Sequence, residues 1–306
     1  MKVCLIGGGN LSHALISAAN FEYVSLVTSK PNKFKNQITG FSENNLLIGK
    51  IDLVTSNYEE AIYGVDLIII TSPGFLYETV LRRISEYIND NVWIGSIHAT
   101  GGFDWIFSKV MPHHDRLFGF QRSPYIARID TYGKSVSFSK KESVKVFTSL
   151  GNEYSTDFIL NLSKALDINI IQLENFLEIT LSNSNPILHP IRLYSIFNNI
   201  HRYHQDSFFY KDWDDDSSNL LVECDKELQL IVRKLPIGLS NFSSVLDHFE
   251  SINIYQLTKK IISIQSWSEI KIDYDNNSAS LSPNPSSRYF LEDVPFGIIP
   301  IKGVAQ

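Results

Sequence analysis

Cysteine is scarce in this sequence, with only Cys4 and Cys224 among 306 residues. Two cysteines cannot form the multi-bridge framework that stabilises small secreted proteins, so we predict a protein of a reducing, cytoplasmic compartment. The chain also lacks any apolar run approaching the roughly 20 residues that a membrane helix needs. Glycines from Gly7 onward interrupt the first apolar run too early for a signal peptide. We therefore expect no membrane partner.

The sequence also has no excess of positively charged residues. Lys and Arg number 27 against 33 Asp and Glu, a net charge of -6, whereas nucleic-acid binders usually carry a strongly basic face. We predict no nucleic-acid partner. The histidine pairs His113/His114 and His201/His204 have no cysteine or carboxylate that completes a ligand set, so we also predict no metal site.

The first half of the sequence alternates between strand and helix patterns. Residues 3–6 predict a strand, residues 11–19 a helix and residues 24–27 a second strand, which together make a β-α-β unit. The same apolar patterns predict further strands at 65–70, 92–97, 117–129 and 135–138, and a helix at 75–87. Such alternation favours a doubly wound, mostly parallel sheet.

The second half of the sequence is mainly helical in pattern. Helices are predicted over 172–199, with breaks at Asn185 and Pro186 and again at His189 and Pro190, and over 220–235, 245–246 and 252–264. The run from Asp212 to Asp216 indicates a solvated helix start. We predict an α/β domain over 1–170 followed by a mainly α-helical domain over 171–306.

A cluster of glycines lies directly between the first strand and the first helix. Small residues there let the backbone turn tightly and let a pyrophosphate reach the helix N-terminus, where free N–H groups and the helix dipole favour negative charge. We predict a dinucleotide-binding, Rossmann-type loop, with a purely structural glycine turn as the alternative. The third glycine position holds Ser12. The predicted cofactor contacts are Gly7, Gly8, Gly9, Asn10 and Leu11.

The end of the second strand bears on the choice between NAD and NADP. An acidic residue there would bind the ribose 2′-hydroxyl and disfavour a 2′-phosphate. The sequence instead has Thr28, Ser29 and Lys30, with no carboxylate before Glu43 at the nearest. We therefore predict NADP (NADPH), with Ser29 and Lys30 near the 2′-phosphate, and regard NAD as the less favoured cofactor.

Two segments of the second half carry the most specific pattern. One runs from Asn185 to Pro190 and reads Asn-Pro-x-x-His-Pro; the other runs from Arg288 to Gly297 and reads Arg-Tyr-x-x-Glu-Asp-x-Pro-x-Gly. With these segments, the chain resembles the opine dehydrogenases, the octopine/nopaline dehydrogenase family. The glycine loop, Ser72-Pro73-Gly74 and residues 120–125 also look like landmarks of that family, so the resemblance covers most of the chain.

The resemblance implies a Rossmann domain, a helical domain and a nicotinamide-dependent reductive condensation of a 2-keto acid with an amino acid or amine. By position, His189 corresponds to the catalytic histidine, Asp293 to its paired aspartate and Arg288 to an arginine that binds the substrate carboxylate. Histidine titrates near neutrality and suits proton transfer, and an arginine fork suits a carboxylate. Further expected contacts are Asn185 and Arg122 to substrate, and Ser72 and Pro73 to the cofactor.

The sequence leaves alternatives to these roles open. Asp293 could cap a helix or pair with Arg288, and Arg122 could pair with a carboxylate.

Simple keto-acid reduction of the ketopantoate reductase type is the second enzymatic candidate, although residues 172–200 contain no lysine, which such enzymes more often use. A non-catalytic NADP-binding sensor is the third. Family members usually continue beyond the second motif, so ending at Gln306 implies a more open site. Monomer and homodimer both fit the sequence.

Overall fold

The computed structural model describes residues 1–43, 45–182, 185–278 and 280–306, and it separates into two units, Met1–Ile179 and Thr180–Gln306. The division falls within a helix, α6 (Leu177–Ser182), and therefore later than the boundary predicted after residue 170. The reason is that residues 169–173 form a strand that pairs with residues 143–147 and so belongs to the sheet of the first unit.

The strands of the first unit form two sheets. They are β1 (Lys2–Ile6), β2 (Tyr23–Val27), β3 (Gln37–Ser42), β4 (Asn45–Lys50), β5 (Leu53–Thr55), β6 (Leu67–Ile70), β7 (Trp93–Ser96), β8 (Leu117–Phe120), β9 (Tyr125–Thr131), β10 (Ser135–Lys140), β11 (Ser143–Thr148) and β12 (Asn169–Leu173). The main sheet has the order β12-β11-β8-β7-β6-β1-β2-β5, and its pairs are parallel except for β8 with β11. This arrangement confirms the predicted α/β, Rossmann-type fold class.

Apolar layers cover both faces of the main sheet. Along β1 the side chains alternate: Val3 and Leu5 enter one hydrophobic cluster, and Cys4 and Ile6 enter the other. All four residues are almost completely buried, as expected for a strand with helices on both sides. The helices of this unit are α1 (Asn10–Ala18), α2 (Tyr58–Ile62), α3 (Tyr77–Ile84), α4 (Phe103–Val110) and α5 (Asn152–Leu166), followed by the start of α6.

The second sheet was not predicted as a separate layer. Its order is β4-β3-β10-β9, and it includes part of the segment predicted as one strand over 117–129. That prediction was wrong, because β8 and β9 belong to different sheets and Pro124, which has no N–H to donate, precedes β9. The burial pattern also changes there: β8 is buried throughout, whereas β9 alternates.

The second unit is helical, as predicted. Its helices are α7 (Asn185–Asn198), α8 (Asp215–Lys234), α9 (Val245–His248), α10 (Ile254–Ser263) and α11 (Ile299–Ala305), and a π-helical segment (Tyr289–Ile298) precedes α11. At the start of α8, Asp214 accepts from Ser217 N–H at 2.8 Å, so the acidic run does begin a helix. In the described part of the chain, no helix is long and apolar enough to cross a membrane.

Helix α7 continues through the predicted break at His189 and Pro190. Pro186 lies in the first turn, where its missing N–H needs no partner, and Pro190 removes only one backbone donor. Buried side chains such as Leu188 and Ile196 stabilise the helix by packing. The predicted break at this point was therefore wrong, and His189 lies on a continuous helix.

Candidate functional site

The glycine loop between β1 and α1 has a backbone that requires glycine. Gly7 has a φ of +123°, and a Cβ on it would lie 2.6 Å from Thr71 Oγ1, so both conformation and space exclude a side chain. Its N–H donates to Val27 O at 2.9 Å, which fixes the loop to the end of β2. A Cβ on Gly9 would meet nothing within 4 Å, so open space lies next to the loop where the helix begins.

Ser12, at the third glycine position, has a definite structural role. Its side chain is completely buried, and its hydroxyl donates to Gly7 O and lies 2.7 Å from Thr71 Oγ1. The serine therefore joins the glycine loop to the end of β6. Serine in place of the usual glycine or alanine thus adds hydrogen bonds to the loop.

A buried histidine holds the other side of the loop. His13 Nδ1 donates to Gly9 O at 2.8 Å, while Nε2 accepts from Gly133 N–H at 2.8 Å, an arrangement that requires the neutral ring. Burial lowers the pKa of His13. The rings of Phe34 and Tyr132 pack against it, with centroids 5.1 and 5.5 Å away. His13 thereby connects the glycine loop to the turn between β9 and β10.

A cavity of about 400 Å³ opens beside this loop. Its lining combines the glycine loop with residues that follow β2, β5 and β6: Ile6, Gly7, Gly8, Val27, Thr28, Ser29, Ser56, Tyr58, Ser72, Leu76, Val80, Arg83 and Tyr132. The Ser72 hydroxyl is buried and has no hydrogen-bond partner among the described residues. A buried hydroxyl without a partner is costly, so a polar ligand group beside Ser72 would satisfy it. The cavity fits a dinucleotide on these grounds.

The predicted cofactor residues divide into two groups. Gly7, Gly8, Ser29 and Ser72 line the cavity, whereas Gly9, Asn10, Leu11, Lys30 and Pro73 do not. The Asn10 side chain accepts from Ile129 N–H at 2.9 Å and so connects α1 to β9. The Lys30 ammonium lies 6.0 Å from the centre of the Tyr132 ring.

His189 and Asp293 lie in direct contact in the second unit. His189 Nδ1 donates to Asp293 Oδ2 at 2.7 Å, and both side chains are nearly buried. The opposite nitrogen, Nε2, lies 2.7 Å from the hydroxyl of Tyr210. Burial raises the pKa of Tyr210, so its hydroxyl keeps its proton. Asp293, His189 and Tyr210 form a continuous hydrogen-bonded chain.

Close packing sets the position of Asp293 against α7. Asp293 belongs to the π-helical segment, and four residues later Gly297 lies so near α7 that a Cβ would stand 2.3 Å from Pro186 Cβ. The ring of Tyr289 contacts the imidazole of His189, with centroids 4.9 Å apart. The missing side chain at Gly297 therefore lets the π-helical segment approach α7 closely enough for the His189–Asp293 hydrogen bond.

A completely buried arginine fixes the segment that carries Tyr210. Arg192 lies one turn after His189 on α7, and none of its surface is exposed. Its guanidinium donates to the carbonyls of Phe209 (2.8 Å) and Asp212 (2.6 Å) and to the hydroxyls of Tyr203 (3.1 Å) and Ser217 (3.0 Å). These bonds hold residues 209–212 against α7. Arg192 therefore positions Tyr210 relative to His189.

The predicted substrate-binding residues have different environments. Arg288 is exposed and has no ion-pair partner among the described residues. Asn185 is the first residue of α7, one turn before His189. Arg122 follows β8 in the first unit and is half-buried, and burial lowers its pKa. Burial, followed by the charge of Arg122, lowers the pKa of Lys141 to about 8.

The sequence patterns did not predict several residues that the structure places at these sites. Tyr210 and Arg192 were not selected, although Arg192 stands three positions after His189, a spacing that places both on neighbouring parts of one helix face. His13 and Arg83 were not selected either. No local pattern marks Tyr210, because its partner comes from a distant helix.

Comparison with known proteins identifies the second unit directly. Residues 172–306 match the family described as NAD/NADP octopine/nopaline dehydrogenase, alpha-helical domain. The chain is 22% identical to the octopine dehydrogenase of Mizuhopecten yessoensis, with 100% of this chain and 85% of that protein covered.

Solved structures share the fold over the whole chain. Octopine dehydrogenase with NADH and L-arginine matches with a TM-score of 0.84 at 21% identity, covering 100% of this chain and 84% of that one. Yersinopine dehydrogenase with NADP⁺ bound matches with a TM-score of 0.70 at 10% identity, covering 100% and 89%. Two further octopine dehydrogenase structures contain NADH with agmatine and NADH with pyruvate. The second unit therefore carries the helical domain of the octopine/nopaline dehydrogenase family, and the chain is similar over its whole length to opine dehydrogenases.

Proposed function

We propose that this protein is an NADP-preferring opine-type dehydrogenase that joins a 2-keto acid to an amino acid or amine. The observation that carries the proposal is the hydrogen bond between His189 and Asp293, which lies within the segment matched by the family's helical domain. The keto-acid and amine classes are supported by related structures that contain pyruvate, L-arginine or agmatine.

The reaction divides into a condensation and a reduction. The amine nitrogen adds to the keto carbon, water leaves, and a C=N bond forms. When bound, NADPH supplies the hydride that this carbon needs. Overall, one C–N bond and one C–H bond replace the C=O bond, and one proton is taken up for neutral reactants. A residue that can hold and deliver a proton is therefore needed beside the reacting carbon.

His189 is suited to that role through its Nε2 atom. Because Asp293 accepts from Nδ1–H, Nε2 is the nitrogen whose protonation can change. The Tyr210 hydroxyl can donate to a neutral Nε2 or accept from a protonated one, so it tolerates both states. We propose that the proton passes between substrate and His189 at Nε2, and that Asp293 fixes the ring's orientation.

Arg288 is proposed to bind the keto-acid carboxylate. It immediately precedes the π-helical segment that carries Asp293, and its guanidinium is exposed. A guanidinium can bind a carboxylate through two parallel hydrogen bonds, which also orients the keto group. Asn185 and Arg122 are proposed as further substrate contacts.

The preference for NADP is proposed from the end of β2. The hydroxyls of Thr28 and Ser29 line the cavity beside the glycine loop, and no carboxylate is found among its described lining residues. Hydroxyl donors suit a 2′-phosphate, whereas a carboxylate would repel it. A cytoplasmic location is proposed as well, since both cysteines are free thiols.

The test is NADPH oxidation by the purified protein in pools of 2-keto acids, with and without pools of amines and amino acids. Oxidation that requires both pools supports the proposed reaction, and dividing the pools then identifies the substrates. Oxidation with keto acids alone would favour a keto-acid reductase. Binding of NADPH without oxidation in any pool would favour a sensor.

A further inference from the structure

Helix α3 contributes one face to the dinucleotide cavity. Leu76, just before α3, together with Val80 and Arg83, lines the cavity with a spacing of four and then three residues. That spacing places the three side chains along one side of the helix. The first two are apolar and suit the flat face of an adenine ring. Arg83, three residues after Val80 on the helix, adds a positive charge to the same wall of the cavity.

Two consecutive arginines of α3 differ in their ionic partners. Arg82 pairs with Glu78 at 2.7 Å, one turn earlier on the helix. Within the described part of the chain, Arg83 forms no ion pair, and its guanidinium instead lies 5.4 Å from the centre of the Tyr58 ring. An arginine stacked on an aromatic ring keeps its N–H donors available at its edge. The charge of Arg83 is therefore available to a ligand.

The surroundings of Arg83 favour an anion. Among the described residues that line the cavity, Arg83 is the one cation, no carboxylate is present, and hydroxyl donors come from Thr28, Ser29, Ser56 and Tyr58. Lys30, although next to Ser29 in sequence, does not line the cavity.

The position of Arg83 also gives it room. A second cavity of about 390 Å³, which Arg82 and Glu86 also line, shares Ser56, Tyr58 and Arg83 with the first, so Arg83 borders open space in both. The dinucleotide cavity therefore offers space for a phosphate beside Arg83. Phosphate and guanidinium form paired, charge-assisted hydrogen bonds, which are among the strongest available on a protein surface.

We propose that Arg83 binds the 2′-phosphate of NADP, with the hydroxyls of Ser29 and Ser56 as its neighbours, and that it sets the preference for NADP over NAD. This inference rests on the proposed NADP preference and adds the residue that produces it. Arg83 then recognises the one group by which the two cofactors differ.

Dissociation constants of the full-length protein test this assignment without any need for turnover. NADPH, NADH, 2′,5′-ADP and 5′-AMP are titrated by calorimetry into wild type, Arg83→Met and Arg82→Met. Methionine keeps the length and helix propensity of the side chain while removing its charge. Arg82→Met is the matched control, since it removes a neighbouring guanidinium that does not line the dinucleotide cavity.

The expected result is a specific loss in Arg83→Met: affinity for NADPH and 2′,5′-ADP falls about tenfold to a hundredfold, the range for a charge-assisted hydrogen bond. Affinity for NADH and 5′-AMP then stays within about twofold of wild type in both variants, a difference near the resolution of such titrations. An equal loss for all four nucleotides would overturn the proposal and assign Arg83 to the adenine ring.

Other outcomes distinguish a failure of the Arg83 assignment from a failure of the proposed NADP preference. If wild type favours NADPH and Arg83→Met keeps that preference, the assignment of Arg83 is wrong while the NADP preference stands. If wild type binds NADH as tightly as NADPH, and 5′-AMP as tightly as 2′,5′-ADP, the preference itself fails and the assignment fails with it. Thermal melting of each variant confirms that the titrated protein is folded.

Discussion

His189 and Asp293 are 104 residues apart in the chain, yet their side chains share a hydrogen bond of 2.7 Å. The histidine lies on α7 and the aspartate on a π-helical segment that Gly297 allows to pack against Pro186. π-Helical turns are uncommon and are often found at functional sites. The contact therefore depends on an unusual backbone and on a glycine that admits close packing.

Replacement of His189 by alanine tests the proposed proton transfer. Because the imidazole is assigned to the proton and not to the cofactor, turnover should fall about 10²–10⁴-fold, the usual contribution of a general acid or base. The dissociation constant for NADPH should stay near that of wild type. Steady-state rates and calorimetric titration measure the two quantities. Full activity in folded His189→Ala would remove this residue from the mechanism.

Removal of the buried charge of Arg192 should destabilise the second unit. Arg192→Met leaves the carbonyls of Phe209 and Asp212 without their donor, so the free energy of unfolding should fall by about 1–3 kcal/mol for each carbonyl that stays unsatisfied. The matched control is Arg202→Met, which removes an exposed guanidinium 3.4 Å from Asp216 and should cost less than about 1 kcal/mol. Urea unfolding measures both, and equal losses would contradict the positioning role of Arg192.

The buried, neutral His13 should make stability depend on pH. Its pKa is lowered in the folded state, whereas the unfolded chain titrates near 6.5, so the unfolded state binds more protons as the pH falls through that value. Stability should therefore be greatest above about pH 7 and decline as the pH falls toward the lowered pKa of the folded state.

Two variants isolate the contribution of His13. His13→Gln should be less stable than wild type at pH 8 but should lose less stability between pH 7 and 5. His201→Gln, at an exposed histidine, should keep the wild-type slope. Urea unfolding at a series of pH values measures the slopes. The same slope in His13→Gln and wild type would show that His13 does not produce the dependence.

A methyl group at Gly297 should disturb the site through packing alone. The added Cβ would lie 2.3 Å from Pro186 Cβ, so the π-helical segment must shift, at a cost of about 1–3 kcal/mol. Such a shift would lengthen the His189–Asp293 hydrogen bond and lower turnover.

The control for this variant is Gly303→Ala in α11, where an added Cβ meets nothing within 4 Å. It should be neutral or slightly stabilising, because alanine favours the helix over glycine. Thermal melting and steady-state rates measure both variants. A loss of stability in Gly303→Ala equal to that in Gly297→Ala would contradict the packing argument.

Local features could be predicted from the sequence, and distant contacts could not. The glycine loop was predicted because the strand, the run of glycines and the helix follow one another directly in the sequence, although the contact with Thr71 that excludes a side chain at Gly7 could not be predicted. The second sheet was missed because β3 pairs with β10, almost a hundred residues later, and because β4 is largely exposed and shows no alternation. Tyr210 was missed because its role depends on a fold-level contact with α7.

Following the hydride from the cofactor into the product tests the proposed reductive condensation. The protein is incubated with NADPH deuterated at either face of C4, a 2-keto acid and an amine, and the products are analysed by mass spectrometry. We expect a secondary amine that carries one deuterium on the former keto carbon, from one of the two labelled cofactors. Deuterium in a 2-hydroxy acid, or deuterium retained in the cofactor with both labels, would contradict the proposed reaction.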